Sequence, residues 1–224
     1  MQMYNINSND VEYMETRALI TPLNEDVNNL NEKCMIMFPG DSTTYYSFDS
    51  VSDDNHNLYL PEFLNSINPG NLLPHKLTLK RGCPIMLLQN IDPKIRLFNS
   101  TRLICRRFGR NIIETNILIG HFKGLRVFIR RIPLKSAEDY KMPFELTRKQ
   151  FPVILSSALT INKSQGQTIG HVGIYLPNHV FSNCQLYVAL SRGVSAHTTR
   201  VLVKNYVIEG HEGVFTKNVV FRDI

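Results

Sequence analysis

The sequence lacks any long apolar run. No hydrophobic stretch approaches the roughly 20 residues that cross a bilayer as a helix. The first residues, MQMYNINSNDVEYME, contain neither the basic nor the apolar segment of a secretory signal. We therefore expect an intracellular protein with no membrane partner. With 224 residues, 43% of them hydrophobic, the chain is long enough for one or two folded domains.

Cysteines are few and scattered. The four cysteines are Cys34, Cys83, Cys105 and Cys184, with no CxxC pair and no histidine cluster beside them. This spacing favours buried thiols in a reducing compartment over disulfides or a zinc site. We expect no metal ligands on this chain.

The sequence also lacks GxxxxGK[ST], the pattern in which a glycine-rich loop cradles a phosphate chain. Lys163 follows no glycine-rich run, and no acidic pair ends a hydrophobic strand where it could hold Mg²⁺. We therefore expect no complete site for ATP and its metal on this chain.

Positive charge is concentrated in the middle of the chain. Residues 81–150 carry 15 lysines and arginines against 5 acidic residues, whereas residues 1–80 carry 4 against 11. Six arginines of this block, expected on a solvated face, form its electrostatic footprint: Arg102, Arg106, Arg107, Arg126, Arg130 and Arg131. Such a block favours a polyanion, in particular nucleic acid, over a face that only aids solubility.

The two ends of the chain have the pattern of an α/β domain. Strand-like runs lie at 16–23, 151–155, 172–177 and 200–205. A helix capped by Asn24 follows the first run and ends before Pro39, and a second helix begins with the capping-box spacing of Ser182 and Gln185. Residues 41–57 are polar and acidic and predict a surface segment.

The middle of the chain has a different pattern. Between 77 and 132, short β-rich runs recur at a spacing of about ten residues, separated by glycines. This spacing is typical of a small barrel or sandwich. The predicted architecture is therefore α/β, with a small β-barrel inserted between two parts of a parallel-sheet domain.

One polar segment stands between two strand-like runs. Residues 158–170 read ALTINKSQGQTIG. Hydroxyl, amide and ammonium groups are poor core material, because each must find a partner or stay hydrated. Massed in a loop at the end of a strand, they suit an oxygen-rich ligand such as a phosphate chain.

Several segments together resemble one family. They are RALITPLNEDVNNLN (17–31), PEFLNSINP (61–69), LKRGCPIMLLQNIDP with NSTRL further on, TINKSQGQT (160–168) and QLYVALSR (185–192). In this order they resemble the C-terminal half of petite-integration-frequency (PIF-type) DNA helicases, including the versions carried by rolling-circle transposons. The resemblance implies ATP-driven 5′-to-3′ translocation on single-stranded DNA, with roles in repair, recombination and telomere maintenance.

The resemblance also implies a domain plan. Residues 1–78 and 151–224 are expected to form the two parts of the second RecA-like domain of a superfamily-one helicase. Residues 79–150 are expected to form the inserted small β-barrel, of the Src-homology type.

On the nucleotide side, the resemblance assigns Arg192 as the catalytic residue. Arg192 matches the arginine finger, a planar and permanently charged group suited to a transferring phosphoryl group. Without the family pattern, it is a cation at a helix C-terminus. Gly166 and Gln167 match the loop that faces the ATP cleft, and Arg17 is a further nucleotide-side candidate.

On the DNA side, the resemblance assigns residues of two segments: Thr21, Asn24, Thr160, Asn162, Lys163, Ser164 and Gln165. Their donors would bond phosphates and give position without sequence readout. Alternatively, Asn24 only caps the helix that follows it and does not contact DNA. Asn162 stands where many relatives have histidine, and Ser100 follows Asn99 where relatives commonly have glycine.

Three functional hypotheses stay open. The chain is half of a helicase whose N-terminal ATPase domain is encoded elsewhere, lost or omitted, or it is a stand-alone nucleic-acid-binding module, or an inactive mobile-element remnant. The complete helicase would use ATP and Mg²⁺, neither bound completely by this chain, and single-stranded DNA would be its partner. The family implies the nucleus, with the mitochondrion as the alternative.

Overall fold

The computed structural model of the chain describes residues 13, 16–51, 58–67, 72–136, 142–204 and 213–220. Its residues fall into two compact units, described separately below. The first unit combines residues 1–39 with 155–224, and the second comprises 40–154. The predicted divisions at 78 and 150 stay a proposal about folding domains.

The described part contains fourteen strands and four α-helices. The strands are β1 (Arg17–Thr21), β2 (Ser42–Tyr46), β3 (Phe48–Val51), β4 (Lys76–Lys80), β5 (Pro84–Leu87), β6 (Arg102–Phe108), β7 (Ile112–Ile117), β8 (Arg126–Arg130), β9 (Ile132–Lys135), β10 (Leu146–Gln150), β11 (Val153–Leu155), β12 (Ala158–Thr160), β13 (His171–Leu176) and β14 (Thr199–Val203). The helices are α1 (Asn24–Met37), α2 (Pro61–Ser66), α3 (Ile161–Ser164) and α4 (Gln185–Leu190).

A four-stranded parallel sheet forms the first unit, in the order β12–β1–β13–β14. One face of its central strands β1 and β13 is fully buried: Ala18 and Ile20 pair with Val172 and Ile174, and all four residues are at most 1% exposed. Helix α1 packs Val27 and Leu30 against Ala158 of β12. This sheet confirms the predicted α/β organisation of the two chain ends.

A buried asparagine joins α1 to β12. The Asn31 amide donates to the carbonyls of Ala158 (3.0 Å) and Leu155 (3.3 Å), and its oxygen accepts from the Ala158 N–H (2.8 Å). Asn31 is 6% exposed. One side chain therefore satisfies three backbone groups at the edge of the sheet, where a strand has no further neighbour.

The second unit contains a five-stranded sheet in the order β11–β5–β6–β7–β8. The pairs β5–β6, β6–β7 and β7–β8 are antiparallel. Two smaller sheets, β3–β10–β9 and β2–β4, complete the described strands of this unit.

The predicted barrel is not confirmed, because the five-stranded sheet is open. Its end strands are β11 and β8, which are not paired with each other among the described residues. Directly after β8, the chain enters β9, which pairs with β10 in a different sheet. The sequence predicted the individual strands. Closure of a barrel, however, depends on which strands pair, and β9 pairs with β10 of another sheet.

A fully buried ion pair anchors the second unit. The Arg148 guanidinium binds both oxygens of Asp49, with the shortest contact at 2.6 Å, and also donates to the carbonyls of Leu64 and Leu73. The side chains of Arg148 and Asp49 are 0% and 1% exposed. Ser47 adds a hydrogen bond to Asp49 Oδ1 at 2.6 Å. Satisfied in this way, the pair holds the segments around Leu64 and Leu73 to β10.

Two of the six arginines predicted on a solvated face depart from that prediction. Arg102 is 1% exposed. Arg131 lies 4.7 Å from the ring centroid of Phe151 and donates to the Tyr46 carbonyl at 2.7 Å. Burial lowers the pKa of Arg131 from its ordinary value. The charge count of the basic block therefore overstates its surface charge, because some of its arginine side chains are buried or partly buried.

The predicted caps of both helices are wrong. Leu23, in an extended conformation, precedes α1, and no side chain within the described ranges caps the helix. Asn24 is the first residue of the helix and is exposed. Helix α4 begins at Gln185 after Cys184, whose φ is 59°. The Gln185 amide oxygen accepts from the Phe181 N–H, not from Ser182 as the capping box requires.

Two loop predictions also change. The predicted surface segment 41–57 is described as far as Val51 and contains β2 and β3, while 52–57 lie outside the described residues. At Asn99–Ser100 the turn keeps a left-handed residue, since Ser100 has φ 72°. Serine thus occupies the conformation that glycine adopts more easily.

Three of the four free cysteines are buried, as predicted: Cys34, Cys83 and Cys105, each at most 2% exposed. Burial raises the pKa of Cys34 to about 11. Cys184 departs from the prediction because it is exposed. None of the described helices has the length and apolarity needed to cross a membrane.

We expect Asn31→Ala to lower the free energy of unfolding by about 2 kcal/mol or more, because it removes the side chain that bonds the buried N–H and carbonyl of Ala158. Urea denaturation measures the change. Asn29→Ala is the matched control, since Asn29 lies on the exposed side of the same helix and its loss should cost less than about 0.5 kcal/mol. Equal effects of the two variants would contradict the role of Asn31.

Candidate functional site

The polar segment starts directly from β12. Thr160 ends the strand and caps α3, with its hydroxyl accepting from the Lys163 N–H at 3.2 Å. Asn162 and Lys163 are exposed on this single helical turn. The strand therefore delivers an exposed ammonium and amide to the surface immediately beyond its carboxyl end.

Ser164 is placed differently from its exposed neighbours. It is 0% exposed, and its hydroxyl donates to the Ile161 carbonyl at 2.7 Å. In this arrangement the hydroxyl stabilises the turn and is not presented to a ligand. The exposed residues of the turn are Asn162, Lys163 and, just after it, Gln165.

A glycine reverses the chain after this turn. Gly166 has φ 79°, a left-handed conformation that most side chains resist, and open space surrounds the position of a Cβ. The Gln167 N–H then donates to the Ser164 carbonyl, and its side-chain amide donates to the Lys163 carbonyl at 3.2 Å. Gln167 is thereby folded back onto α3.

Arg192 is bonded to the same segment. Its guanidinium donates to the Gln167 carbonyl at 3.2 Å through Nη1, to the Val188 carbonyl at 3.1 Å through Nε, and to the Ser191 hydroxyl at 2.9 Å through Nη2. Arg192 is partly exposed. The two predicted nucleotide-side residues of distant segments, Gln167 and Arg192, are thus brought together.

The backbone fixes this contact as well. The Ile169 N–H donates to the Arg192 carbonyl at 3.0 Å, and Ile169 forms a parallel bridge with Gly193. A Cβ on Gly193 would collide with the Thr199 hydroxyl. Glycine at position 193 therefore leaves room for the Thr199 side chain directly after Arg192.

The register of the sheet separates the predicted residues into two groups. Thr21 and Thr160 are paired at the carboxyl ends of β1 and β12, with Asn24 three residues further on. Arg17, in contrast, pairs with His171 at the amino ends of β1 and β13. The Ile169–Arg192 contact comes two residues before β13 begins, at the same edge as Arg17.

This separation follows the two predicted roles. Thr21 and Thr160, predicted to contact DNA, lie at the carboxyl edge of the sheet. Arg17 and Arg192, predicted to face the nucleotide, lie at or near the amino edge. A strand of five residues spans about 13 Å between these edges. The segment 160–169 runs from one edge to the other.

Two predicted residues are less available than the sequence suggests. Thr21 is 0% exposed, and its hydroxyl is buried without a hydrogen-bond partner among the described residues. Arg17 stacks its guanidinium 3.7 Å from the ring centroid of Tyr13 and donates to the Tyr13 carbonyl. Because the Thr21 hydroxyl is buried, it can contact an external phosphate only if the surrounding residues move.

Acidic neighbours weigh against Asn24 as a phosphate ligand. Glu25 and Asp26 follow it in the first turn of α1, where negative charge suits the helix dipole. Burial and the nearby Glu25 charge raise the pKa of Asp26. The segment 160–169, in contrast, contains Lys163 and no acidic residue.

Sequence reasoning missed Asn31, the residue that positions this site. It fixes β12 just before the polar segment begins. A signal was present: Asn31 lies four residues after Val27, on the predicted apolar face of the helix, where a polar side chain must find a buried partner. Among the described residues, no group of three or more His, Cys, Asp or Glu could hold a metal ion.

Comparisons with known proteins agree on one family. Residues 62–108 match the family model of the DNA helicase Pif1 2B domain. The mouse ATP-dependent DNA helicase PIF1 is 31% identical over 181 residues, covering 80% of this chain, and the human protein is 29% identical over the same share. The chain belongs to the PIF-type helicases, as a C-terminal portion.

Solved structures of PIF-type helicases share the fold. The Pif1 helicase of Candida albicans superposes with a TM-score of 0.65 at 24% identity, covering 85% of this chain and 45% of that one. The Bacteroides Pif1 complex with ADP-AlF3 and ssDNA gives 0.63 at 19% identity, covering 98% and 48%. The RecA-like α/β class of this PIF-type chain is thereby supported.

This PIF-type chain spans about a quarter of the mammalian relatives, 25% of the mouse protein and 26% of the human one. Most of each relative therefore has no counterpart in the 224 residues. Activities of the whole relatives are considered below as proposals.

We expect Gly166→Ala to lower the free energy of unfolding by about 1 kcal/mol, because alanine is strained at φ 79° although space for its Cβ is open. Gly166→Asn should cost less, since asparagine tolerates the left-handed region. Urea denaturation measures both, with the exposed neighbour Gln165→Ala as control. An alanine variant as stable as the control would show that the loop does not require this conformation.

Proposed function

We propose that this chain is the C-terminal part of an ATP-dependent 5′-to-3′ DNA helicase. In this role, it supplies the arginine finger and single-stranded DNA contacts to an ATPase domain that carries the phosphate-binding loop. Its mammalian relatives are named as ATP-dependent DNA helicases, which supports the reaction class. ATP and Mg²⁺ are the cofactors of the complete enzyme.

The bond between Arg192 and the Gln167 carbonyl carries the proposal. It ties the finger candidate to the segment that also presents Lys163. When a γ-phosphate attracts the Arg192 guanidinium, either the loop moves with Arg192 or the hydrogen bond to the Gln167 carbonyl breaks. Nucleotide state is thereby coupled to the position of the groups that hold DNA.

The chemistry of the nucleotide-side residues fits a phosphate chain. The guanidinium of Arg192 presents planar donors to oxygens on which negative charge develops. The set of Arg17, Gly166, Gln167 and Arg192 contains no carboxylate, so it fits the phosphates and leaves the Mg²⁺ ligands to the ATPase domain.

On the DNA side, Lys163 and Asn162 are the accessible donors. Both are exposed on α3 and follow Thr160 directly. Contacts from these groups to phosphates position a strand without reading its sequence. Thr21 and Ser164, both 0% exposed, act in this proposal as support for the turn and the strand end.

The cellular setting is proposed from the family resemblance. It comprises DNA repair, recombination and telomere maintenance in the nucleus, with the mitochondrion as the alternative compartment.

A stand-alone nucleic-acid-binding module is the second candidate function. Three exposed arginines on one sheet of the second unit, Arg107, Arg126 and Arg130, favour it. This module would bind single strands without an ATPase domain. The helicase proposal, in contrast, requires that domain for ATP hydrolysis.

We expect Arg192→Gln to abolish ATP hydrolysis in trans. The chain is mixed with a separately produced ATPase domain of a PIF-type helicase, and phosphate release is measured with and without single-stranded DNA. The wild-type chain should give DNA-stimulated hydrolysis, and the variant should lose about a thousandfold, because an arginine finger supplies charge stabilisation of this size.

The matched control is Arg200→Gln, which removes an exposed arginine of β14 in the same unit. It should retain the wild-type rate. Urea denaturation of Arg192→Gln checks that the loop remains folded. Absence of stimulation by the intact chain, or equal rates for the two variants, would refute the finger assignment.

For the DNA contact, we expect Lys163→Ala to weaken binding of the full chain to a fluorescent oligothymidylate. Loss of one phosphate contact should also flatten the slope of log affinity against log salt by about 0.7. Lys204→Ala, an exposed lysine after β14, is the control and should leave the slope unchanged. A Lys163 variant that matches this control would exclude the α3 contact.

A further inference from the structure

The outer face of β8 carries a residue pattern that the loop site does not explain. Arg126, Phe128 and Arg130 are exposed, whereas Val127 and Ile129 between them are buried. Phe128 is 52% exposed. The strand thus places an aromatic ring between two guanidinium groups on one side of the sheet.

Neighbouring strands extend this face. Glu114 of β7 lies opposite Phe128, and Arg107 of β6 lies opposite Glu114. The Glu114 carboxylate is 3.4 Å from Arg126 and 3.9 Å from Arg107. The two arginine side chains are 63% and 83% exposed, so these ion pairs hold them only weakly.

The net charge of this face is positive. With Arg130, the face carries three arginines against one glutamate, and Glu114 is 17% exposed beneath its two partners. Arg126 also approaches the Phe128 ring, with its guanidinium carbon 5.3 Å from the ring centroid. The face therefore combines exposed cations with an exposed π-surface.

Protection of a sheet edge does not account for this arrangement. β8 is an end strand of the five-stranded sheet, and charged residues on such strands prevent association with other chains. That purpose would be served by a third charge at position 128. A half-exposed phenylalanine instead adds apolar surface at the centre of the charged row.

We propose that Phe128, flanked by Arg126 and Arg130, is a base-stacking platform for single-stranded nucleic acid. The arginines bind the phosphates, and the ring stacks on a base, which presents a π-face whatever its identity. Duplex bases are already stacked and cannot reach the ring. The platform rests on the proposed nucleic-acid partner but uses residues separate from the α3 loop.

The test compares two variants on two strands. Binding of the full chain to a fluorescent oligothymidylate and to an abasic strand of equal length is measured by anisotropy. Phe128→Leu keeps an apolar side chain but removes the ring. It should weaken binding to the oligothymidylate by about fivefold or more and to the abasic strand by less than about twofold. Phe128→Tyr should retain wild-type affinity for both.

The matched control is Phe181→Leu, an equally conservative change at an exposed phenylalanine of the first unit. It should leave both affinities unchanged. An equal effect of Phe128→Leu on the two strands, or no effect on either, would overturn the stacking role. The Lys163→Ala and Phe128→Leu experiments are independent. If Lys163→Ala has no effect but Phe128→Leu still weakens binding to the oligothymidylate, the loop contact alone is refuted. If Lys163→Ala weakens binding but Phe128→Leu does not, the platform alone is refuted.

Discussion

The candidate site depends on the hydrogen bonds between Asn31 and the backbone around Ala158. β12 is a strand of three residues at the edge of the parallel sheet, and among the described strands it pairs with β1 alone. The planar amide offers donor and acceptor together, and so completes the backbone hydrogen bonds that a further strand would otherwise make. Thr160 and the turn after it begin from this fixed point.

From that point, one short segment connects the two edges of the sheet. Thr160 lies at the carboxyl edge, and Ile169 meets Arg192 near the amino edge. Gly166 permits the reversal between them, and Gly193 forms a parallel bridge with Ile169 at the far end of the segment. Groups suited to a nucleotide and groups suited to a DNA strand therefore share one covalent path, which is a physical basis for coupling them. Loop flexibility alone would not couple them, because a flexible loop absorbs displacement.

The basic block illustrates how a charge count differs from a charged surface. Arg148 is neutralised inside the second unit by Asp49, and Arg131 is packed among aromatic rings. These arginines provide many directed donors to backbone carbonyls, which lysine could not do in the same fixed geometry. The arginines that remain exposed on the outer face, such as Arg126 and Arg130, are those that alternate with buried residues along a strand. Burial of part of the block thus lowers its surface charge below the count of its residues, while Arg126 and Arg130 stay exposed on β8.

The sequence by itself determined the local elements and the family. Apolar periodicity predicted β1, α1 and the strands of the middle region, because alternation and helical stripes are properties of neighbouring residues. Tertiary structure decided which strands pair, leaving the five-stranded sheet open, and it decided that Arg102, Thr21 and Ser164 are buried. It also brought Arg192 to Gln167 and Asn31 to Ala158. Such contacts join residues far apart in the chain, and whether a polar group is buried or exposed depends on what packs over it, which no local pattern specifies.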